Sequence, residues 1–250
     1  MRSGAIARFA GITAYGDVFH GAGFHLVDLS GWTDAPDVDM EKLARPTSHG
    51  QFLAPAYARA RDVQMSGFHV ADSVTSMEYE SAALRGLFAR VVRLTIEEPR
   101  GTFWVDGTVD VATYANRGFA SEGDWLVNVH CVDPRKYGEL RTFTGTTVQV
   151  FQYGNFPASP VIEVTGSMPS GYMVASQGRQ FVVNQALSSG QTHRIDLARG
   201  WLYRGSTLQS GAVDVAESFT VPGGEKPVSV VLTPVSGSGQ MTVKVTDTYI

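Results

Sequence analysis

The chain has 250 residues and a mass of 27.0 kDa, and 43% of its residues are hydrophobic. That is enough for one large domain or two small ones with a real core, and it excludes wholesale disorder. Only 18% of residues are charged while 27 are Gly, a balance that disfavours long solvated helices and favours short strands joined by turns. The net charge is −4, with 13 basic and 17 acidic residues over 1–137 and 7 of each over 138–250, so neither half has the basic surface of a phosphate-backbone binder.

Taken in chain order, residues 18–32 alternate weakly through Val18, Phe24, Leu26, Val27 and Leu29 and end on Gly31-Trp32. Residues 33–50, with Pro36, Pro46 and Gly50, predict a long irregular loop with at most one helical turn near Met40 to Leu43. Residues 63–70 predict a strand, with a bulge or a tight backbone approach at Gly67. Thr75 and Glu78 have capping-box spacing, and Leu84, Leu87, Phe88 and Val91 follow at i, i+3, i+4, i+7, which predicts one helix interrupted in propensity only by Gly86. Residues 91–96, 103–111 and 125–132 predict further strands, with Glu97-Glu98-Pro99-Arg100-Gly101 as a turn. The first half therefore reads as α+β, one helix against a sheet.

After Asp133-Pro134-Arg135-Lys136-Tyr137-Gly138 the character changes, and the domain boundary is expected near 133–145. Residues 146–151, 161–165, 172–175, 180–183 and 193–197 read as short strands with turn residues between them. Residues 228–232 are apolar on both faces, which predicts a central strand, and Ser236-Gly237-Ser238-Gly239 predicts a hairpin onto Met241, Val243 and Val245. Lys244 suits an exposed edge. The second half reads as a β-sandwich or jelly roll.

Catalytic chemistry finds no foothold. Cys131 is the only cysteine, which excludes an intrachain disulfide or a multi-cysteine zinc site, and beside His130 on a strand it points the other way. It reads as a buried small hydrophobe. Asp34, Asp37, Asp39 and Glu41 lack the register of a calcium loop and read as a solvated loop. Glu97 and Glu98 are adjacent on a strand end and cannot face one another across a cleft. His20, His25, His49, His69, His130 and His193 are dispersed, and Gly21-Ala22-Gly23 lacks the third glycine of a dinucleotide loop. No catalytic, cofactor-binding or metal-ligating residue is assigned. No apolar run reaches the length of a bilayer span, and the first fifteen residues, broken by Arg8, do not read as a secretory signal. Trp201 and Tyr203 beside Gly200 read as strand aromatics, with a sugar-stacking platform as the functional alternative.

These motifs together resemble the distal tail proteins of long-tailed bacteriophages, called minor tail proteins in phages of actinobacteria. Gly31-Trp32, Pro36-Asp37, Arg45-Pro46, Gly50 and Arg61 stand in the family's order, followed by the strand–helix segment 63–91 and a junction at Asp133-Pro134-Arg135-Lys136-Tyr137. Gly154-Asn155, Pro157-Ala158, Ser159-Pro160-Val161-Ile162-Glu163 and Pro222-Gly223-Gly224 follow, so that the resemblance covers roughly residues 24–250. It implies a mainly β chain with an α+β, tail-tube-like, ring-forming domain over 1–137 and a galectin-like β-sandwich over 138–250. It also implies a homo-hexameric ring in the virion that joins the tail tube above to the tail-tip hub or baseplate below and to host-binding proteins. DNA passes through the lumen without specific recognition, nothing inserts in a membrane, the chain is made in the host cytoplasm, and neither cofactor nor enzymatic activity is expected. Ring closure needs two different patches per subunit, and the loop 33–50 is a candidate for an inter-ring or inter-subunit contact. Some members bind saccharides through long insertions in the second domain, and the connections here are short. The competing classes are a carbohydrate-binding module using Trp201 and a wall hydrolase, the latter without a visible carboxylate pair.

Overall fold

The computed structural model describes residues 4–16, 20–52, 54–118 and 121–250, and Val18 lies outside them. The chain divides into two compact units, Met1–Lys136 with Ile250, and Tyr137–Tyr249. Both are mainly β, and α1 is the one α-helix among the described residues.

The first unit contains β1 (Ile6–Phe9), β2 (Ile12–Tyr15), β3 (Gly23–Ser30), β4 (Val38–Met40), β5 (Ala56–Ala58), β6 (Arg61–Val70), α1 (Val74–Arg85), β7 (Val91–Glu98), β8 (Gly101–Asn116) and β9 (Glu122–Cys131). The expected sheet closes on itself. Strands run in the order β8-β7-β1-β2-β3-β6-β9, and β9 pairs again with β8, so the described strands form a closed barrel. Closure removes both edges that an open sheet would leave. Alternation puts Phe9, Val63, Met65, Leu94, Ile96, Val105, Val127 and Val129 inside. Gly67 is a tight approach: a Cβ there would lie 1.8 Å from the His25 carbonyl oxygen, and the register slip falls on the facing strand, between Leu26 and Asp28.

The helix starts earlier than its capping-box spacing predicts. Ser73, in extended conformation, is the N-cap, and its Oγ accepts from the Ser76 N–H at 3.1 Å. The buried face is Met77, Ser81 and Leu84. Of the predicted stripe Leu84 and Leu87 are buried, but it fails at Phe88 and Val91, because the chain leaves the helix at Gly86 and turns through Ala89 at φ 63, so these two no longer share a face with it and are exposed.

The second unit contains β10 (Lys136–Gly145), β11 (Thr147–Val150), β12 (Val161–Ser167), β13 (Tyr172–Ser176), β14 (Arg179–Val183), β15 (Thr192–Asp196), β16 (Trp201–Arg204), β17 (Thr207–Leu208), β18 (Val213–Ala216), β19 (Val228–Pro234) and β20 (Ser238–Tyr249). One sheet orders β17-β16-β15-β12-β20-β10 and the other β11-β19-β13-β14-β18. A single core that includes Ile162, Tyr172, Phe181, Ile195, Val230, Met241 and Val243 lies between them. As expected, β19 is central, between β11 and β13. The segment after it is not a hairpin: β19 and β20 belong to opposite sheets, and Ser236 to Gly239 crosses between them. Lys244 is likewise not at an edge, because β20 lies between β12 and β10, and its Nζ is 2.6 Å from Glu163 Oε1. The charge is tolerated there because its partner sits on the neighbouring strand.

Candidate assembly surface

Between β3 and β6 the chain leaves the barrel for nearly thirty residues and returns. Its departure is pinned at Gly31, whose φ of +72 and close approach to β6 require glycine: a Cβ would lie 1.9 Å from the Asp62 carbonyl oxygen. Trp32 then packs at 1% exposure. Beneath it Arg61, the first residue of β6, is buried and clamps the root. Its Nη1 donates to the carbonyls of Gly31 at 2.6 Å and Asp34 at 2.8 Å, and its Nε donates to the carbonyl of Pro134 at 2.8 Å. Burial pulls its pKa below the ordinary arginine value, with Asp34 acting against that shift. Lys136 Nζ donates to the Trp32 carbonyl at 2.9 Å and sits 5.4 Å from the indole centroid. One arginine thus ties the start of the excursion to the segment that ends the first unit.

Outside the clamp the excursion is a two-stranded arm. Val38 pairs with Ala58, Asp39 with Tyr57 and Met40 with Ala56, so the helical turn expected near Met40 to Leu43 is replaced by the end of β4. The alternation Val38-Asp39-Met40 is that of a ribbon strand, too short to register in the sequence. Further out the Phe52 N–H donates to the Leu43 carbonyl at 2.9 Å, and the Arg45 guanidinium lies 5.5 Å from the Phe52 ring centroid. Among its described residues the arm has no core of its own: Val38, Met40, Leu43, Phe52 and Tyr57 are between 44% and 70% exposed. Such a run of exposed apolar side chains on one ribbon marks an interaction surface. Of its acids, Asp39 pairs with Arg59 at 3.3 Å. Among the described residues no group of three or more His, Cys, Asp or Glu is placed to hold a metal ion.

The remaining sequence candidates stand on other elements. Cys131 is fully buried, and burial pushes its thiol up to about 12, which makes it a poor nucleophile. His130 points the other way and its Nδ1 lies 2.7 Å from Asp62 Oδ1. Glu97 is bound by Arg8 on the neighbouring strand. Trp201 and Tyr203 share the outer face of β16, with ring centroids 6.3 Å apart. His69, buried under α1, is the group sequence reading passed over. Its Nδ1 is 2.9 Å from the Tyr114 hydroxyl, and its Nε2 is 2.7 Å from Glu80 Oε2, at ion-pair distance but outside hydrogen-bond alignment. Desolvation holds its pKa below the ordinary imidazole value despite Glu80.

No protein-family model and no curated protein matches the chain. Among solved structures it is similar to the Dit (gp 19.1) protein of phage SPP1, described as a paradigm of the hub adsorption apparatus in phages infecting Gram-positive bacteria. The TM-score is 0.77 at 15% identity, over 98% of this chain and 99% of that one. It is also similar to chains of the phage P2 baseplate in its activated conformation, with TM-scores of 0.52 with Ca and 0.54 with Sr, at 8% and 9% identity, over 96% of this chain and 97% of each of those. The chain therefore has the fold of a phage hub and baseplate component, in agreement with the resemblance to distal tail proteins that its motifs carry.

Proposed function

We propose that the chain is a structural virion protein that forms a hexameric ring at the distal end of a phage tail, joining the tail tube to the tail-tip hub and to host-attachment proteins. The observation that carries this reading is the likeness to SPP1 Dit over nearly the full length of both chains. In it the barrel unit is the tail-tube-like ring former and the second unit the galectin-like sandwich. The arm supplies one of the two dissimilar patches that a closed head-to-tail ring requires, its apolar side chains docking on the barrel of the next copy. A net charge of −4 suits a lumen that lets DNA pass without holding it. An adaptor of this kind performs no chemistry, which accords with the inert Cys131 and the paired Glu97. Light scattering on the purified protein at micromolar concentration, with negative-stain imaging, tests the reading. The expected result is a particle near six times 27.0 kDa with a central hole. A chain that stays at 27.0 kDa at all concentrations, alone and with its tube and hub partners, overturns it.

A further inference from the structure

The outer wall of the barrel carries a depression built by its own ladders. Partners directly opposite in a ladder point to the same face, so two outward rows cross β6, β9 and β8: Ser66, Leu126 and Thr113 in one, Phe68, Asp124 and Ala115 in the other. The bulge on β3 leaves Val27 out of the ladder, turned outward and 40% exposed, and Gly67 beside it has no side chain. The surrounding residues are small, and an open groove of about 420 Å³ remains over Val27, Phe68 and Leu126. Arg117, bound to Asp124, closes one rim with its guanidinium 5.8 Å from the Phe68 ring centroid. Asp28 lies opposite Ser66 on β3 and faces outward at the other rim, exposed.

We propose that this groove takes Phe52 from the arm of the adjacent copy, with Arg45 of that arm pairing with Asp28. The assignment rests on the ring reading above and adds to it the surface that receives the arm. An apolar floor inside a polar rim is the anatomy of a protein-docking patch. Charge selects the segment that fills it. Among the described residues neither Asp28 nor Arg45 has an ion-pair partner. The part of the arm nearer the root carries Asp39 and Glu41 beside Met40 and Tyr57, and those acids would meet Asp28 with like charge. At the tip Arg45 stands 5.5 Å from the Phe52 ring centroid instead. The tip is also held in shape before it docks. The Arg45 N–H donates to the Gly50 carbonyl at 3.2 Å, and Ala44 and Gln51 are bridged between the two sides. Groove and root occupy different ends of β6: six residues of strand separate Arg61 from Gly67, about 20 Å. A head-to-tail contact needs two such dissimilar, separated patches on one subunit.

Two measurements on the full chain test the pairing. Cys131 is buried and its thiol stays protonated, so introduced cysteines report alone. Gln51→Cys and Ala115→Cys, each exposed in the parent, are made in separate chains, mixed and treated with a short bismaleimide. A cross-linked dimer is expected in the mixture and not in either variant alone, and it should be lost when Phe52→Ser is added to the first. In the second measurement Arg45→Glu and Asp28→Arg are each expected to raise severalfold the concentration at which light scattering shows assembly, with unfolding temperatures within a few degrees of the parent. The two reversals combined in one chain should bring most of that loss back. Assembly unaltered by either reversal, a loss that the double reversal leaves in full, or a mixture no more cross-linked than its components overturns the groove assignment. Rings in the parent then leave the ring reading standing. A parent that assembles at no concentration and gives no cross-link overturns both.

Discussion

The carbonyl of Gly154 accepts a hydrogen bond from the N–H of Gly224 at 2.8 Å, so two turn motifs seventy residues apart meet. Neither tolerates a side chain at this crossing. A Cβ on Gly154 would lie 1.9 Å from the Thr248 carbonyl oxygen, and one on Gly223 would lie 2.6 Å from the Gly154 carbonyl oxygen. The buried Gln152 completes the knot: its Nε2 donates to the Phe156 carbonyl at 2.6 Å, and its Oε1 accepts from the N–H groups of Gly154 and Thr248. Gly154→Ala is therefore expected to destabilise the second unit by on the order of 3 kcal/mol, read from its denaturant midpoint, while Gly224→Ala, whose Cβ position is open, costs less. Equal effects at the two positions would refute the packing argument.

That crossing explains which parts of the fold were legible. Short strands with alternating burial, such as residues 161–165 and 228–232, carry their face pattern locally and were readable. Gly154-Asn155 and Pro222-Gly223-Gly224 were visible as motifs, but their meeting depends on pairing across the sandwich. The same holds for β8 returning to β9 to close the barrel and for β19 and β20 parting into different sheets. The hairpin expected at Ser236 to Gly239 failed because Gly and Ser specify a turn, not the sheet that receives the next strand. At the candidate site, Gly31-Trp32 and Arg61 stood in the resemblance as letters. Their roles as pin and clamp depend on a carbonyl of Pro134, far away in sequence.

The clamp makes the second prediction. Arg61→Met fills similar volume but leaves the carbonyls of Gly31, Asp34 and Pro134 without their buried donor. The expected cost is on the order of 3 kcal/mol in the first unit. Hydrogen exchange should accelerate at residues 31–36 and 61–63, with residues 161–183 unchanged. Arg61→Lys, a single point charge without the fork, should recover only part of the protection.

Acid should weaken both units. His69 and His193 are each held below the ordinary imidazole pKa, first by burial, and for His193 also by Arg204. Both stay neutral in the fold over a range where the unfolded chain takes up protons, so stability is full above an unfolded pKa of about 6.5 and declines as pH falls below it. In the second unit His193 Nδ1 lies 3.1 Å from the Tyr172 hydroxyl, and among the described residues no hydrogen-bond partner stands at its Nε2 to welcome a second proton. Urea midpoints at pH 7.5 and pH 5 should differ for the parent, and His193→Gln should flatten the second unit's share. An identical slope in the variant would place the sensitivity elsewhere.

The buried pair Arg141–Asp247 provides a contrast to surface ion pairs. Arg141 Nε and Nη2 donate to the two oxygens of Asp247 at 2.8 and 2.9 Å, the Tyr153 N–H donates to the same carboxylate at 2.9 Å, and the guanidinium stacks 4.1 Å from the Tyr153 ring centroid. Asp247→Ala leaves Arg141 only its exposed partner Glu139 and takes the acceptor from the Tyr153 N–H, and is expected to cost about 2 kcal/mol by chemical denaturation. Arg93→Ala, which breaks an exposed pair with Asp106, should cost under about 1 kcal/mol. If both variants unfold at the same midpoint, burial is not what sets the worth of these pairs.

The arm itself can be removed at a place the structure marks. The Arg59 N–H donates to the Asp37 carbonyl at 2.7 Å, so a two-residue Gly-Gly turn can replace residues 38–58 without moving the root held by Arg61. A cut confined to residues 34–47 would instead take Asp34 out of the clamp and leave β5 unpaired, confusing misfolding with lost assembly. Among the described residues the shortened chain loses no core residue, and Val38, Met40, Leu43, Phe52 and Tyr57 are all exposed. Its unfolding temperature should match the parent's within a few degrees. The arm's apolar side chains are what a neighbouring barrel would bury, at about 25 cal/mol per Å² of apolar surface. Without them the ring interface loses much of its driving force, and light scattering should report the mass of a single shortened chain where the parent assembles. A milder variant, Phe52→Ser with Tyr57→Ser, should raise the concentration at which rings form while leaving their diameter unchanged. Rings of full size from the armless chain at the parent's concentrations would assign closure to the barrel walls and leave the arm free for a different partner.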